Sequence, residues 1–291
     1  MPLLIIFNPA SGEGRATTRL AEVKAALKAA SLEATYLSIK DQSWRVAVAR
    51  AIKQADPLVV AAGGDGTINA VASLLVGTNT ALGVLPVGTL NHFAADAGIP
   101  ANLDDAVRAL TSGRDRAVDT AEVNGQLFLN NSSIGLYPSL VMQRERYAPL
   151  KKPVATFLAA LETVRHRHSL PASLTIGPHI RTLRTPFIFV GNNDYELGRV
   201  GFLGRSSLNR GKISVYAVHN TSLAGLMVLA ARTFFGVHHI DRVFDQYEGT
   251  RLEIRLTKPR VEVAYDGEIK TMTPPLIWQS RPASLKVRAP R

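Results

Sequence analysis

The sequence predicts an α/β chain, with a doubly wound, mostly parallel sheet domain at the N-terminus and a β-rich domain after it. Two observations predict the first part. Short apolar runs alternate with helix-period segments as far as about residue 117, and the runs end in glycine-rich loops, as parallel strands feeding crossover helices do. A third observation predicts the second part: after Arg116 the alternation stops, and strand-like runs follow one another across turn signals.

Leu3 to Phe7 is an apolar strand, followed by Asn8-Pro9-Ala10-Ser11-Gly12-Glu13-Gly14-Arg15. Leu20, Val23, Leu27 and Ala30 then share one helical face, and a strand over Thr35 to Ile39 completes a βαβ unit. Trp44, Val48 and Ile52 mark the next helix. Leu58 to Ala62 reads as a buried strand, ended by paired glycines. Ile68, Val71, Ala72 and Leu75 fall at i, i+3, i+4 and i+7, so a helix is expected from about Thr67. Leu82 to Leu85 supplies another strand, leading into a third loop over Pro86 to Ala94.

Asn124-Gly125 lies between the runs Val118 to Val123 and Gln126 to Asn130, a strong two-residue hairpin signal. Further strands are expected at Phe187 to Val190, Ile213 to Val218, Arg251 to Leu256, Val261 to Tyr265 and Ser284 to Arg288. Helices are expected at about Val154 to His168 and Leu223 to Phe235.

With 291 residues and 46% hydrophobic content the chain can bury a substantial core. The absence of cysteine excludes disulfides, a thiol nucleophile and Cys-ligated metal, and fits a reducing cytoplasm. The apolar start, Met1 to Phe7, lacks the basic region and length of a signal peptide, and Leu223 to Ala231 is too short to span a bilayer. A net charge of +11 suggests an acidic partner. No zinc finger, RNP motif or basic helix-turn-helix accompanies it, so an anionic membrane face or a phosphorylated substrate is expected rather than nucleic acid. His238-His239 and the His166/His168 pair lack HExxH-type spacing, which argues against zinc.

The chemistry centres on Gly63-Gly64-Asp65-Gly66-Thr67. Three glycines let a ligand approach the backbone, and the free N–H groups of the new helix favour phosphate. A carboxylate beside phosphate repels it unless a divalent cation lies between, so Asp65 reads either as a magnesium-side or nucleotide-orienting residue or as an ordinary helix N-cap. No GxxxxGK[ST] occurs, which excludes a Walker A loop.

NPASGEGR, GGDGT and PVGTLNHFA, followed in order by NNSSIGLY (130–137), VGNN (190–193) and Asp266-Gly267-Glu268, together resemble the diacylglycerol kinase catalytic-domain family. The wording of the third loop is similar to its bacterial lipid-kinase branch, which is related to the sphingosine kinases. NAD kinases share GGDGT but not the GTLNHFA loop.

The resemblance implies a nucleotide-binding domain over 1–117, a lipid-substrate β-sandwich domain over 118–275, and a chain end, 276–291, that returns to the first domain. It implies ATP with Mg²⁺ in the cleft between the domains, and a lipid hydroxyl as phosphate acceptor. The implied nucleotide-side residues are Asn8, Ser11, Gly12, Ser38, Gly63, Gly64, Asp65, Gly66, Thr67, Asn69, Gly88, Thr89 and Asn91, with His92 at the border. Asp65 is expected to act on the catalytic magnesium through the phosphates. The base is expected at Asp266, with Glu268 as the alternate carboxylate; without the resemblance, Asp266-Gly267 reads as a hairpin turn.

One departure concerns Ser207-Leu208-Asn209-Arg210-Gly211-Lys212. Where the family has an Asp that helps hold a structural magnesium, this chain aligns Arg210. A cation cannot ligate a cation, so that metal site is expected to be lost, with Arg210 or Lys212 supplying its positive charge. Arg144, Arg146, Lys151, Lys152, Arg165 and Arg167 gather near Phe157, Leu158 and Leu161. That cluster reads either as a solvated face or as a peripheral contact with anionic lipid at the inner membrane face. A homodimer is left open. Two other readings stay beside the lipid kinase: NAD kinase-like phosphorylation of a soluble dinucleotide, and a non-catalytic lipid or nucleotide sensor.

Overall fold

The computed structural model describes residues 2–9, 16–135, 170–177, 179–198, 201–202, 204–218 and 244–291. Two units result: Met1–Thr120 with Ser207–Arg210 and Arg281–Arg291, and Ala121–Ser206 with Gly211–Ser280. The first division thus falls at Thr120, three residues past the sequence expectation, and the returning segment starts at Arg281.

In the first unit the apolar runs form strands β1 (Leu3–Phe7), β2 (Ala34–Ser38), β3 (Leu58–Gly63) and β4 (Ala81–Pro86). They pair in parallel in the order β2-β1-β3-β4, with Leu4 opposite both Thr35 and Val59, and Val59 opposite Leu82. The order reverses between β1 and β3, and ligand crevices form at the carboxyl ends of strands at such a switch. All six residues of β3 and all six of β4 are buried, which is why they read as unbroken apolar runs rather than alternating ones.

Helices α1 (Ala16–Ala29), α2 (Ser43–Lys53), α3 (Asp65–Leu75), α4 (His92–Asp96) and α5 (Leu103–Ser112) accompany these strands. Val23, Leu27, Trp44, Val48, Ile68, Val71, Leu75, Val107 and Leu110 are buried. Helix α5, which the periodicity reading passed over, starts from an N-cap: the Asn102 side chain accepts the backbone N–H groups of Asp104 and Asp105. Strand β5 (Arg114–Val123) follows it.

The second unit is antiparallel. Asn124 (φ 43°) and Gly125 (φ 80°) make the primed turn expected of an Asn-Gly pair, joining the end of β5 to β6 (Gln126–Phe128). The chain continues through β7 (Asn131–Gly135), β8 (Leu170–Ile176), β9 (His179–Thr185), β10 (Phe187–Asn192), β11 (Leu197–Gly198), β12 (Gly201–Phe202), β13 (Ile213–Val218), β14 (Phe244–Gly249), β15 (Arg251–Leu256), β16 (Val261–Tyr265), β17 (Glu268–Met272) and β18 (Leu276–Ala289). One sheet runs β14-β13-β10-β7-β16-β17, and β9, β8, β15 and the first residues of β18 form another.

Alternate residues of both sheets enter one core, Ile134, Ile188, Val190, Val215 and Val263 from the first and Leu174, Leu252, Ile254 and Trp278 from the second. The sandwich expected from the resemblance is therefore present. The strand expected at Ser284 to Arg288 is the tail of a longer β18 that begins in the second unit, and its Val287 pairs with Leu82 in the first. The β8–β9 hairpin, β14 and β17 were not expected from the sequence. The helices expected over 154–168 and 223–235 lie outside the described residues.

At Gly83 in β4, helix α5 packs closely on the sheet. A Cβ there would lie 2.7 Å from Leu110 Cδ2 and 3.1 Å from Val60 Cγ2. Gly83→Val is expected to destabilise this unit by about 1–3 kcal/mol through overpacking. A denaturant midpoint unchanged from the wild type would refute the packing account.

Candidate active site

Local sequence brings three loops of the first unit to one edge of its sheet, because each follows the carboxyl end of a neighbouring parallel strand. The segment at Asn8 follows β1, Gly63 to Thr67 follows β3, and Pro86 to Asn91 follows β4. The Asn8 N–H donates to the Ala62 carbonyl at 3.3 Å, tying the first two together. The second and third touch backbone to backbone: a Cβ on Gly88 would lie 2.3 Å from Gly64 Cα. Only glycine permits that approach.

Helix α3 starts at Asp65, two residues earlier than expected, with Gly64 as its N-cap and no side chain capping it. The Thr67 and Ile68 N–H groups donate to the Gly64 carbonyl. A side chain added at Gly66 would meet open space. Thr67 Oγ1 is buried with no hydrogen-bond partner among the described residues, and it packs so closely under Gly63 that a Cβ there would sit 2.5 Å away. An uncapped helix start, an orphaned hydroxyl and open space at Gly66 fit a phosphate group.

Two of the expected nucleotide-side residues also hold the loops in shape. Both carboxylate oxygens of Asp65 accept backbone N–H groups from the start of α4, His92 at 3.2 Å and Phe93 at 3.0 Å. Asn91, in the left-handed region at φ 52°, accepts the Gly88 N–H through Oδ1 and donates through Nδ2 to the Pro86 and Gly88 carbonyls. Asp65 thus bolts the GGDGT turn to the third loop, and Asn91 sets that loop's curvature.

The Ser38 hydroxyl accepts the Lys40 N–H in the turn after β2. Asn69 lies half-buried on α3, and Thr89 is exposed. Ser11 and Gly12 lie outside the described residues, as does the basic cluster from Arg144 to Arg167. No group of three His, Cys, Asp or Glu side chains that could hold a metal occurs among the described residues. Each Asp65 oxygen already accepts a backbone N–H, so any magnesium here would be held largely by the phosphates of a bound nucleotide.

In the second unit Asp266 and Gly267 form the hairpin turn between β16 and β17, with φ 44° and 88°, and Tyr265 pairs with Glu268. The bland reading of Asp-Gly as a turn is therefore correct, and the carboxylate has further work. Its Oδ2 accepts the Leu129 N–H at 2.7 Å, and its Oδ1 accepts those of Asn130 at 2.9 Å and Asn131 at 3.2 Å. Burial raises the Asp266 pKa to about 6, against the lowering effect of these three N–H groups and of Arg205. Glu268 is exposed and hydrogen-bonds the Tyr265 hydroxyl.

Arg205, Asn192 and Tyr195 complete this constellation, and sequence reasoning had singled out only the Asn pair at 192–193. The signal for it was there, since two asparagines at the end of an apolar strand have no packing reason. Arg205 carried no such signal.

Lys212 lies in the same unit. Its ammonium pairs with Asp194 at 3.2 Å and with Glu248, while the Ser214 hydroxyl donates to Asp194. The Glu248 hydrogen bond pushes the Lys212 pKa above its ordinary value, so the group stays charged. Of the two cations considered as replacements for a metal, Lys212 is the one placed between carboxylates, and Arg210 is exposed.

A glycine-rich turn into an uncapped helix at the switch of a parallel sheet is the class of site at which α/β proteins take ligands. Residues 2–123 match the sequence model of the family described as diacylglycerol kinase catalytic domain. That match ends at residue 123 of 291.

The chain is 26% identical to a diacylglycerol kinase of Bacillus subtilis, over 93% of this chain and 90% of that one. It is 27% identical to an uncharacterized Synechocystis protein, over 98% of this chain and 70% of that one. A protein described as probable lipid kinase YegS-like from Klebsiella pneumoniae is 48% identical, across 26% of this chain and 27% of its own. A crystal structure of a diacylglycerol kinase from Bacillus anthracis str. Sterne shares the fold, with a TM-score of 0.69 at 20% identity over 99% of this chain and 96% of that one.

Gly88→Ala is expected to push the third loop off Gly64 at a strain of about 1–3 kcal/mol. If that strain falls on the nucleotide site, affinity drops about tenfold or more; calorimetry showing wild-type ATP affinity would refute the cradle. Lys212→Met is expected to lower the melting temperature by about 2–4 °C, for an ion pair of about 1 kcal/mol. EDTA is expected to leave the wild-type value unchanged, and a drop on chelation would show a metal where Lys212 is placed.

Proposed function

We propose that this protein is a lipid kinase that takes the γ-phosphate of ATP, supplied as its magnesium complex, and transfers it to the hydroxyl of a lipid such as a diacylglycerol, a sphingoid base or a phosphatidylglycerol. The start of α3 carries this reading. Its Gly66 opening and orphaned Thr67 hydroxyl suit the oxygens of a polyphosphate, and Gly64 packed on Gly88 holds the loops that would surround it.

In this reading the loops around Gly64 and Thr67 bind the donor, and Asp266 is the base. Asp266 takes the proton of the lipid hydroxyl, the freed oxygen forms a bond to the γ-phosphorus, and the bond from that phosphorus to the bridging oxygen breaks to release ADP. A carboxyl with pKa about 6 is a stronger base than an ordinary aspartate and is still largely ionised at neutral pH. Glu268, exposed and hydrogen-bonded to the Tyr265 hydroxyl, is the weaker candidate. Among the described residues no helix is long and apolar enough to cross a membrane. A net charge of +11 supports reaching the substrate from the surface of an anionic bilayer.

The test is transfer from γ-labelled ATP to a total lipid extract, with NAD as a parallel acceptor. Label is expected in a lipid product one phosphate heavier. Label on NAD would favour a dinucleotide kinase, and ATP binding without transfer to either would favour a sensor.

Asp266→Asn is expected to lower kcat by about 10²–10⁴-fold, the usual contribution of a general base. Because only the ionised carboxylate accepts the proton, wild-type kcat/KM is expected to rise with pH through about 6 and then level off. A flat profile from pH 5 to 8 would remove Asp266 from the role.

A further inference from the structure

The base is held by a peptide segment, and that segment is held by Arg205. Residues 129–131 give Asp266 all three of their N–H groups, and the Asp266 N–H returns to the Asn131 carbonyl at 3.0 Å. The opposite edge of the same segment belongs to a guanidinium that is 6% exposed. Arg205 Nη1 donates to the Leu129 carbonyl at 2.5 Å and to the Asn192 carbonyl at 3.0 Å, and Nη2 donates to Asn130 Oδ1 at 2.8 Å.

Asn192 reinforces that grip, its Nδ2 reaching the Leu129 carbonyl at 2.9 Å and its N–H the Asn130 carbonyl at 2.9 Å. The guanidinium lies 5.5 Å from the Tyr195 ring centroid, and the Tyr195 hydroxyl accepts from Asn131 Nδ2 at 3.3 Å. Every contact belongs to the second unit.

We propose that Arg205 is a positioning residue for phosphoryl transfer, fixing the 129–131 segment so that its N–H groups hold the Asp266 carboxylate in one orientation. The inference rests on the reading of Asp266 as the base. A planar fork with fixed donor directions can grip two carbonyls and an amide oxygen at once, and a lysine cannot. Without Arg205 the three hydrogen bonds from its guanidinium to Leu129, Asn130 and Asn192 are lost, and the peptide dipoles aimed at Asp266 lose their fixed direction.

The charged and titratable groups around Asp266 are few. Arg205 faces it from the loop after β12, and Tyr265 and Glu268 flank it on its own hairpin, hydrogen-bonded to each other. Asp194, beyond Tyr195, is paired with Lys212. Loss of Arg205 therefore removes a cation that favours the ionised form of Asp266, and its titration moves to higher pH.

The test uses the full chain with carboxyl-¹³C aspartate, the Asp266 resonance being assigned by its loss in Asp266→Asn. Arg205→Met is expected to move the Asp266 midpoint to higher pH and the acid limb of kcat/KM with it. Arg205→Lys, which keeps the charge and loses the fork, covers the case in which Arg205→Met fails to fold. It is expected to lower kcat by about 10–100-fold, with KM for ATP unchanged, as for a reacting group held slightly out of place. A wild-type midpoint in folded Arg205→Met, or wild-type kcat in Arg205→Lys, would overturn the proposal. Full activity in Asp266→Asn would instead overturn the base assignment, and the resonance would still report whether Arg205 governs Asp266.

Discussion

A carboxylate withdrawn from water must be compensated, and in the second unit that requirement shapes everything around Asp266. Three peptide N–H groups and the guanidinium of Arg205 together offset a desolvation that still leaves the pKa raised to about 6. The compensation is available because residues 129–131 leave the β5–β6 hairpin with their N–H groups turned to Asp266 and the Leu129 and Asn130 carbonyls turned away from it. Asp266 takes the N–H groups, and Arg205 and Asn192 take those two carbonyls. The turn that carries Asp266 contributes as well, since Asp266 at φ 44° and Gly267 at φ 88° direct the carboxylate back toward that segment. Asp tolerates the left-handed region better than most residues, and glycine occupies it freely.

The same device recurs in the first unit. Asp65 is also a carboxylate on a turn, and it also accepts N–H groups from a loop far along the chain, at His92 and Phe93. Here the acceptors close the start of a short helix, and the result is a fixed spacing between the GGDGT turn and the third loop. With Gly64 packed on Gly88 and Asn91 bonded within its own loop, the cradle is rigid before any ligand arrives. Preorganised donors of this kind favour phosphoryl transfer because they need no rearrangement as charge moves. Lys212 applies the converse rule, an ammonium just before β13 that joins Asp194, after β10, to Glu248 on β14.

The readings that rested on local rules agree closely with the structure. Leu3–Phe7, Ile213–Val218, Arg251–Leu256 and Val261–Tyr265 form strands with the expected ends, because strand period and apolar runs reflect which faces are buried. Asn124-Gly125 is a primed turn because few other pairs accept two positive φ values. The omissions have physical causes too. Helix α5 alternates charged and apolar residues over only ten positions and is announced mainly by its Asn102 cap. The β9 strand, His179–Thr185, carries a histidine and two arginines, so its pattern does not stand out from a loop.

What the sequence determined by itself is the layer plan and the three loops, since βα rhythm, glycine pairs and turn residues are local consequences of backbone sterics and burial. It also placed Asp65 and Asp266 among the residues that matter. Only the tertiary structure decided what those carboxylates touch. Their partners lie 27–28 residues away for Asp65 and 135–137 away for Asp266. Arg205 was decided the same way: nothing around a single arginine in a loop shows that it will be buried against the carbonyls of strands far along the chain. Hydrogen-bond partners at that separation follow from how strands are ordered in a sheet, and periodicity carries no record of that order.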